Sequence, residues 1–222
     1  MLFRSNLLLQ LILLLSKKVS SKEKIVTQHR MKILIVRLNN IGDALVTTPF
    51  IALLKKNLNC ELSILASHKN YFVFKNNPAI SEVIIFKKGI KNILTQIKEI
   101  NKNEFDVIID SHDDLSTTVA TFVALTKSKY KIGFEKGIDK LFTHLVKREN
   151  PTITHVIDRL LNLSLPLSIS PDRENANVKI YPEEKDNIEI ENVFASIFPE
   201  KKFNLFINIS EIGAARFWGI DR

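Results

Sequence analysis

The chain has 222 residues, 45% of them hydrophobic, and a net charge of +8. This length allows one large domain, or one domain and part of another, with a core of ordinary density. The single cysteine, Cys60, excludes a disulfide or a cysteine-based zinc site within the chain and favours a reducing compartment. Residues 1–30 contain six basic residues and one acidic residue, which is +5, so the rest carries only +3. Without a basic stripe interleaved with aromatic residues, this charge argues against a nucleic-acid-binding protein.

The leader, residues 1–30, combines an apolar run at Leu7–Leu15 with basic residues on both sides. A helix that spans a bilayer needs about 20 apolar residues, so this run is too short. No small-residue cleavage site follows it, which argues against a signal peptide. Two interpretations stay open: a helix that lies on an anionic membrane surface, or a leader upstream of a translation start at Met31. The charge pattern favours the membrane helix.

The first element after the leader is a short apolar run, Ile33–Val36, which is typical of a strand covered on both faces in a parallel sheet. Residues 39–42 predict a tight turn, in which Gly42 supplies a backbone conformation closed to other residues. A helical apolar pattern then follows Asp43. Asp43 is therefore expected at the carboxyl end of the first strand, where open α/β sheets bind ligands. The alternative, that Asp43 only caps the next helix, stays open.

Four further strands are predicted along the chain, at Glu61–Ala66, Val83–Phe86, Phe105–Asp110 and Tyr130–Gly133. The segments between them are predicted to be helical at Tyr71–Lys75, Ile90–Ile100 and Leu115–Leu125. Strands that alternate with helices in this way predict right-handed βαβ units. The expected fold class is therefore α/β, with a doubly wound, Rossmann-like parallel sheet.

The last third of the chain is less regular. Residues 136–165 are predicted to form helical pieces that break at Asn150-Pro151, the second being Ile153–Leu165. Residues 164–172 read as a linker, and Asn187–Phe198 as a weak helix. Phe203–Ile209 is predicted to be a strand that opens a second α/β domain. The expected organisation is a leader at 1–30, a first domain at 31–170, and a linker with the start of a second domain at 171–222.

One polar cluster follows the fourth strand, in the segment from Asp110 to Asp114 with His112 at its centre. Adjacent residues point in different directions, so this spacing favours a polar cleft or a helix cap over a metal site. The glycine fingerprint G-x-G-x-x-G, the P-loop and the H-E-x-x-H motif are all absent from the sequence. We therefore expect neither a metal nor a cofactor.

Four blocks, taken together, resemble a known family: Arg37–Asp43 with Thr47–Pro49, Phe105–His112, Lys131–Phe134 and His155–Arg159. They occur in the order found in the bacterial ADP-heptose:lipopolysaccharide heptosyltransferases, glycosyltransferase family 9. The segment 208–218 is similar to the first strand and phosphate-contacting loop of that family's second domain. The resemblance implies a two-domain GT-B fold, with the acceptor in the amino-terminal Rossmann-like domain and the nucleotide sugar in the carboxy-terminal one. It also implies that most of the second domain is missing from this sequence.

The resemblance further implies roles for individual residues. Asp43 is the expected general base, which takes the proton of an acceptor hydroxyl during an inverting transfer. Residues expected to bind the acceptor are Asn40, Gly42, Thr47, Asp110, His112, His155 and Arg159. Residues expected to contact the nucleotide diphosphate are Ser210, Gly213 and Arg216.

The expected partners are ADP-heptose, a lipopolysaccharide-core acceptor and an anionic membrane surface, with the protein in the cytoplasm or on the cytoplasmic face of the inner membrane. Two other interpretations stay open. One is a non-catalytic fragment that binds acceptor, membrane or a partner. The other is an unrelated Rossmann-type nucleotide-binding protein, which the missing glycine fingerprint disfavours.

Overall fold

The computed structural model describes residues 30–197 together with Gln10, Leu14, Lys24 and Ile25. The strands in this part of the chain are β1 (Met31–Arg37), β2 (Cys60–Ala66), β3 (Glu82–Ile85), β4 (Val107–Asp110), β5 (Tyr130–Phe134) and β6 (His144–Val146). The α-helices are α1 (Ile41–Leu45), α2 (Thr48–Asn57), α3 (Ile90–Lys102), α4 (Thr117–Leu125), α5 (Val156–Leu161) and α6 (Glu184–Ile197). Short 3-10 helices lie at Tyr71–Val73, Asp139–Leu141 and Asn162–Leu167.

The six strands form one parallel sheet in the order β3-β2-β1-β4-β5-β6. β1 lies at the centre, where Ile33 is level with Leu62 of β2 and Val107 of β4. The strand order reverses between β1 and β4, so the carboxyl ends of these two strands border the crevice in which such sheets bind ligands. The predicted doubly wound α/β fold is confirmed.

Both faces of the central strand are buried, as its continuous apolar run predicted. Ile33 and Ile35 belong to the core layer that contains Phe50 of α2, whereas Leu34 and Val36 belong to the layer that contains Phe122 of α4. Alternate side chains of a strand point to opposite faces, so one strand supplies both layers. Complete burial of each such side chain contributes roughly 1.5–3 kcal/mol, so β1 is a firm support for a site at its end.

The five predicted strands are confirmed, but the helical prediction for residues 136–150 is wrong. This segment contains the short 3-10 helix at Asp139–Leu141 and then β6, a sixth strand that pairs with β5. The Thr143 N–H donates to the Lys131 carbonyl at 2.9 Å, and His144 lies level with Ile132. β6 forms because its backbone N–H and C=O groups find hydrogen-bond partners on β5. Such pairing does not depend on the local pattern of apolar residues, so that pattern does not predict it.

The helix predicted at Ile153–Leu165 begins three residues later than expected, at Val156. His155 is its N-cap, and its Nδ1 accepts the Ile157 N–H at 3.3 Å. The linker predicted from residue 164 is also wrong at its start. Ser164 is completely buried, and its hydroxyl donates to the Ile169 carbonyl at 2.9 Å. Leu163, Ser164, Leu167 and Ile169 therefore belong to the core of the first unit.

The chain divides into two compact units, Met1–Tyr181 and Pro182–Arg222. The described part of the second unit contains α6, which confirms the weak helix predicted at Asn187–Phe198 and extends it toward its start. Apart from Gln10 and Leu14, the predicted leader helix lies outside the described residues, as does the predicted strand Phe203–Ile209. Within the described part of the chain, none of the helices has the length and apolar character needed to cross a membrane.

Candidate functional site

Asp43 lies in α1, the short helix that follows β1. The N-cap of this helix is Asn40, and Asp43 is its third residue, so the alternative in which Asp43 is the cap is wrong. Its Oδ2 instead accepts the Asn40 N–H at 3.3 Å, the return bond of a capping box. Asp43 is half-buried and also lines a cavity, so its carboxylate combines a structural bond with access to a ligand.

Gly42, the residue before it, does not have the unusual backbone conformation that the sequence predicted. It lies inside α1 and is absent from the positive-φ positions of the described chain. A Cβ atom built at Gly42 would meet no other atom within 4 Å. The glycine therefore leaves open space beside Asp43 rather than permitting a strained turn.

The cavity, of about 320 Å³, lies beyond the carboxyl ends of β1, β4 and β5. Its lining comprises Arg37, Asn39, Asp43, Asp113, Asp114, Phe134, Arg148, Pro151, Val156, Arg159 and Leu160. This volume is at the lower end of the range for small-molecule sites, about 300–1,000 Å³. Charged side chains dominate the lining, which favours a polar ligand.

Arg37, the last residue of β1, is completely enclosed in the protein at 2% exposure. Its Nε donates to the Thr47 hydroxyl at 2.8 Å, and that hydroxyl donates to the Asp43 carbonyl at 2.7 Å. Neither terminal nitrogen of the guanidinium bonds to another described residue. Burial lowers the pKa of Arg37 to about 10, although the nearby carboxylates of Asp43 and Asp113 act in the opposite direction. The side chain is therefore a cation at neutral pH, with free donors at the cavity.

Arg159 forms the opposite part of the cavity lining and is also buried. Its Nη2 donates to Asp113 at 2.7 Å and its Nη1 to the Thr154 carbonyl at 2.5 Å, whereas its buried Nε has no hydrogen-bond partner. Arg148 contacts Asp113 at 3.2 Å and Asp114 at 2.9 Å. The two arginines thus share Asp113. In the described part of the chain, we find no cluster of three or more side chains that could hold a metal ion.

Asp110 and His112 belong to a second buried cluster at the same edge of the sheet. Asp110 accepts hydrogen bonds from His112 Nδ1 at 2.8 Å and from Lys136 Nζ at 2.7 Å. The Leu38 N–H donates to His112 Nε2 at 3.0 Å, so the proton of the neutral imidazole is assigned to Nδ1. We call Asp110, His112 and Lys136 the paired cluster.

Burial and pairing act against each other in the pKa values of this cluster. Burial alone would raise the pKa of Asp110, but the hydrogen bond from His112 and the charge of Lys136 lower it to about 2. Burial lowers the pKa of His112, and the hydrogen bond to Asp110 opposes this only in part. Asp110 is therefore ionised and His112 neutral at pH 7.

The structure brings two of the predicted site residues, Asp43 and Arg159, to the cavity. Thr47 lies behind Arg37 and contacts the cavity only through it. The other predicted residues within the described chain are outside the cavity lining: Asn40 and His155 at exposed helix starts, Gly42 in α1, and Asp110 and His112 in the paired cluster. Ser210, Gly213 and Arg216 lie outside the described residues. The ligand contacts expected of all these residues stay predictions.

Sequence reasoning did not single out Arg37, Asn39, Asp113, Asp114 or Arg148 as ligand-binding residues. The position of Arg37 could have indicated a function. Burying a charged residue at the end of an apolar strand is costly, so a charge at such a place suggests that the residue has a role there. Asp113 and Arg148 are 35 residues apart in the chain, and nothing in the sequence indicates that they meet.

Comparison with known proteins gave no match to a family model. The chain is similar to lipopolysaccharide heptosyltransferase 3 of Escherichia coli (strain K12), with 32% identity over 143 residues, covering 58% of this chain and 40% of that protein. Among solved structures, the glycosyl transferase family 9 protein of Veillonella parvula superimposes with a TM-score of 0.65 at 19% identity, covering 82% of this chain and 51% of that one.

Escherichia coli heptosyltransferase WaaC, solved with ADP, gives a TM-score of 0.58 at 17% identity, covering 68% of this chain and 51% of that one. At these identities the solved structures establish the fold alone. The chain spans 40% of the length of the curated relative and about half the length of these two solved structures.

Proposed function

We propose that the chain belongs to the bacterial lipopolysaccharide heptosyltransferases of glycosyltransferase family 9, and that it holds the acceptor during transfer of a heptose from ADP-heptose. One observation carries this proposal. Asp43 lines a cavity at the carboxyl end of the central strand, beside a buried arginine that has free donors. A carboxylate in this place can meet a bound hydroxyl group.

The proposed reaction is an inverting displacement. An acceptor hydroxyl oxygen forms a bond to the anomeric carbon of the heptose, while the bond from that carbon to the ADP oxygen breaks on the opposite face. ADP leaves with the electron pair, and the Asp43 carboxylate accepts the hydroxyl proton. A positioned base of this kind contributes about 10²–10⁴-fold to the rate.

Arg37 and Arg159 are the groups that we propose bind the acceptor. A guanidinium can only donate hydrogen bonds, so the free terminal nitrogens of Arg37 match a group that can only accept them, and the positive charge of Arg159 adds to the attraction. A carboxylate or a phosphate on the acceptor meets this requirement, and such charge-assisted hydrogen bonds are the strong ones. Bound between the two arginines, the acceptor would present a hydroxyl to Asp43.

The donor side of the proposal rests on the relatives. WaaC has been solved with ADP and with ADP-2-deoxy-2-fluoro heptose, which supports a nucleotide-sugar donor for the family. We propose that Ser210, Gly213 and Arg216 contact its diphosphate.

We also propose that the leader attaches the protein to the cytoplasmic face of the inner membrane. Vesicle flotation with and without residues 1–30 tests that attachment.

The catalytic part of the proposal is tested by Asp43→Asn, in a chimera that joins this chain to the intact donor domain of a relative. Asparagine keeps an oxygen that can accept the Asn40 N–H, but it cannot take up the hydroxyl proton. Turnover should fall by roughly two to four orders of magnitude, while the melting temperature changes little.

The matched control is Asp139→Asn. The Asp139 carboxylate also caps a turn, accepting the Lys136 N–H at 3.1 Å, but it is not part of the cavity lining. This variant should keep its turnover. An Asp43→Asn protein that is as active as the Asp139→Asn protein would end the assignment of Asp43 as the base.

A further inference from the structure

We infer that Asn70 positions the turn that carries Arg37 and Asp43, a role that rests on the proposed function of those two residues. Asn70 follows β2 and is completely buried at 0% exposure. Its Nδ2 donates to the Asn39 carbonyl at 2.7 Å and to the Arg37 carbonyl at 3.1 Å. Its Oδ1 accepts the Ser67 N–H at 2.8 Å. Only one orientation of the amide allows all three bonds.

His112 holds the same turn from another strand, because its Nε2 accepts the Leu38 N–H. Three consecutive residues, the last residue of β1 and the two that follow it, are therefore bonded through their backbone to two buried side chains, one after β2 and one after β4. We call Asn70 and His112 the turn clamp. Backbone groups in a buried turn need partners, and here long-range side chains supply them.

The clamp can affect the chemistry only through the turn. Neither Asn70 nor His112 is among the residues that line the cavity. The clamped residues, however, begin with Arg37 and end beside Asn40, whose N–H bonds to the Asp43 carboxylate. A displacement of about 1 Å in a reacting group can reduce a rate about 100-fold. Rigid support of this turn therefore has a functional consequence as well as a structural one.

Asn77 is a matched control for a purely structural role. It lies in the same connection between β2 and β3, it is 6% exposed, and its Oδ1 accepts the Ala79 N–H at 3.0 Å. It forms no hydrogen bond to residues 37–40. Changes at Asn70 and Asn77 thus alter similar buried amides, but only the first removes bonds to the turn.

The experiment compares Asn70→Asp and Asn77→Asp in the full chain. Aspartate at position 70 keeps the acceptor for Ser67 but places a carboxylate oxygen against two carbonyl oxygens. In Asn70→Asp, hydrogen exchange of the Leu38 and Asn40 amides should accelerate about 10-fold, the effect of losing one hydrogen bond, and affinity for a truncated lipopolysaccharide-core acceptor should fall about 10-fold or more. Asn77→Asp should change neither quantity under conditions in which both proteins are folded.

Equal exchange of the Leu38 and Asn40 amides in the two variants would overturn the inference. If Asn70→Asp does not fold, Asn70→Ala and Asn77→Ala are compared instead. The same two quantities, amide exchange and acceptor affinity, then test whether Asn70 positions the turn. A wild-type chain that fails to bind the acceptor would refute the proposed function instead, and the exchange of the two amides would still decide whether Asn70 positions the turn.

Discussion

The paired cluster and the cavity arginines Arg37 and Arg159 both lie buried at the carboxyl edge of the sheet, but they differ in whether their hydrogen-bonding groups have partners in the protein. In the paired cluster, the charges of Asp110 and Lys136 meet each other at 2.7 Å, and His112 bonds on both sides of its ring. At the cavity, the terminal nitrogens of Arg37 and the Nε of Arg159 bond to no described residue. A buried donor without a partner costs about 1–3 kcal/mol. This contrast favours a structural role for the paired cluster and supports the ligand-binding role that we propose for Arg37.

The largest expected effect is on the free energy of unfolding, and it comes from breaking the paired cluster. Lys136→Met leaves the Asp110 carboxylate buried without its cation, and breaking one partner of a buried ion pair costs about 3–5 kcal/mol. Chemical denaturation of wild type and variant measures this loss. The control is Lys147→Met, which removes an exposed ion pair with Glu149 at 3.6 Å and should cost under about 1 kcal/mol. Similar losses in the two variants would contradict a stabilising role for the paired cluster.

The second-largest expected effect is on ligand affinity, and it comes from changing a cavity arginine. Arg37→Met removes the charged hydrogen bonds that we propose it donates to the acceptor, worth about 1.5–3 kcal/mol, so affinity for a truncated lipopolysaccharide core should fall about 10- to 100-fold. Stability should change by only about 1 kcal/mol, because the side chain makes one hydrogen bond, to Thr47. Calorimetric titration and denaturation measure the two quantities. Arg30→Met, which removes an exposed partner of Glu61, should preserve the affinity.

A third effect concerns β5, which ends at the cavity residue Phe134, two residues before Lys136 of the paired cluster. A Cβ atom at Gly133 would clash with the Phe142 ring, most closely with its Cε1 atom. Because Phe142 is itself fully buried, Gly133→Ala should destabilise the protein by about 1–3 kcal/mol. Gly42→Ala is the control, since helical alanine with open space should stabilise by about 0.5–1 kcal/mol. Thermal melting distinguishes the two signs.

The smallest effect is the pH dependence of the paired cluster. The pKa of His112 is lowered in the folded protein, so below about pH 6.5 the unfolded chain binds a proton that the folded chain resists. The free energy of unfolding should therefore decrease as the pH falls below this value. Melting at pH 7 and pH 5 should show a smaller decrease for His112→Gln than for wild type. Equal decreases would show that the histidine titrates freely in the folded state.

Much of the fold could be predicted because its strands are continuous apolar runs. β1 and β4 contain such runs, so the local sequence predicts their burial. β6 could not be predicted, because its three residues include His144 and an exposed Leu145, and only pairing with β5 makes them a strand. The segment after Leu161 was misread because Pro166 signals a loop, whereas Ser164 is held in the core.

The candidate site was predictable only in its local part. Asp43 follows the first strand directly, so topology places it at the binding edge of the sheet. Asn70 could not be recognised, since its partners are 31 and 33 residues earlier in the chain. Contacts of this range are made by the fold, and a single sequence contains no pattern for them.

The most direct test of the acceptor site follows side-chain signals by NMR while a truncated lipopolysaccharide core is added to the full chain. The proposed function predicts that the guanidinium signals of Arg37 and Arg159 shift in a saturable way, because both side chains line the cavity and the ligand supplies partners for the terminal nitrogens of Arg37. The ring signals of His112 should stay in place, because its bonds are already made. Saturable binding that shifts His112 and leaves both arginines unchanged would contradict the account.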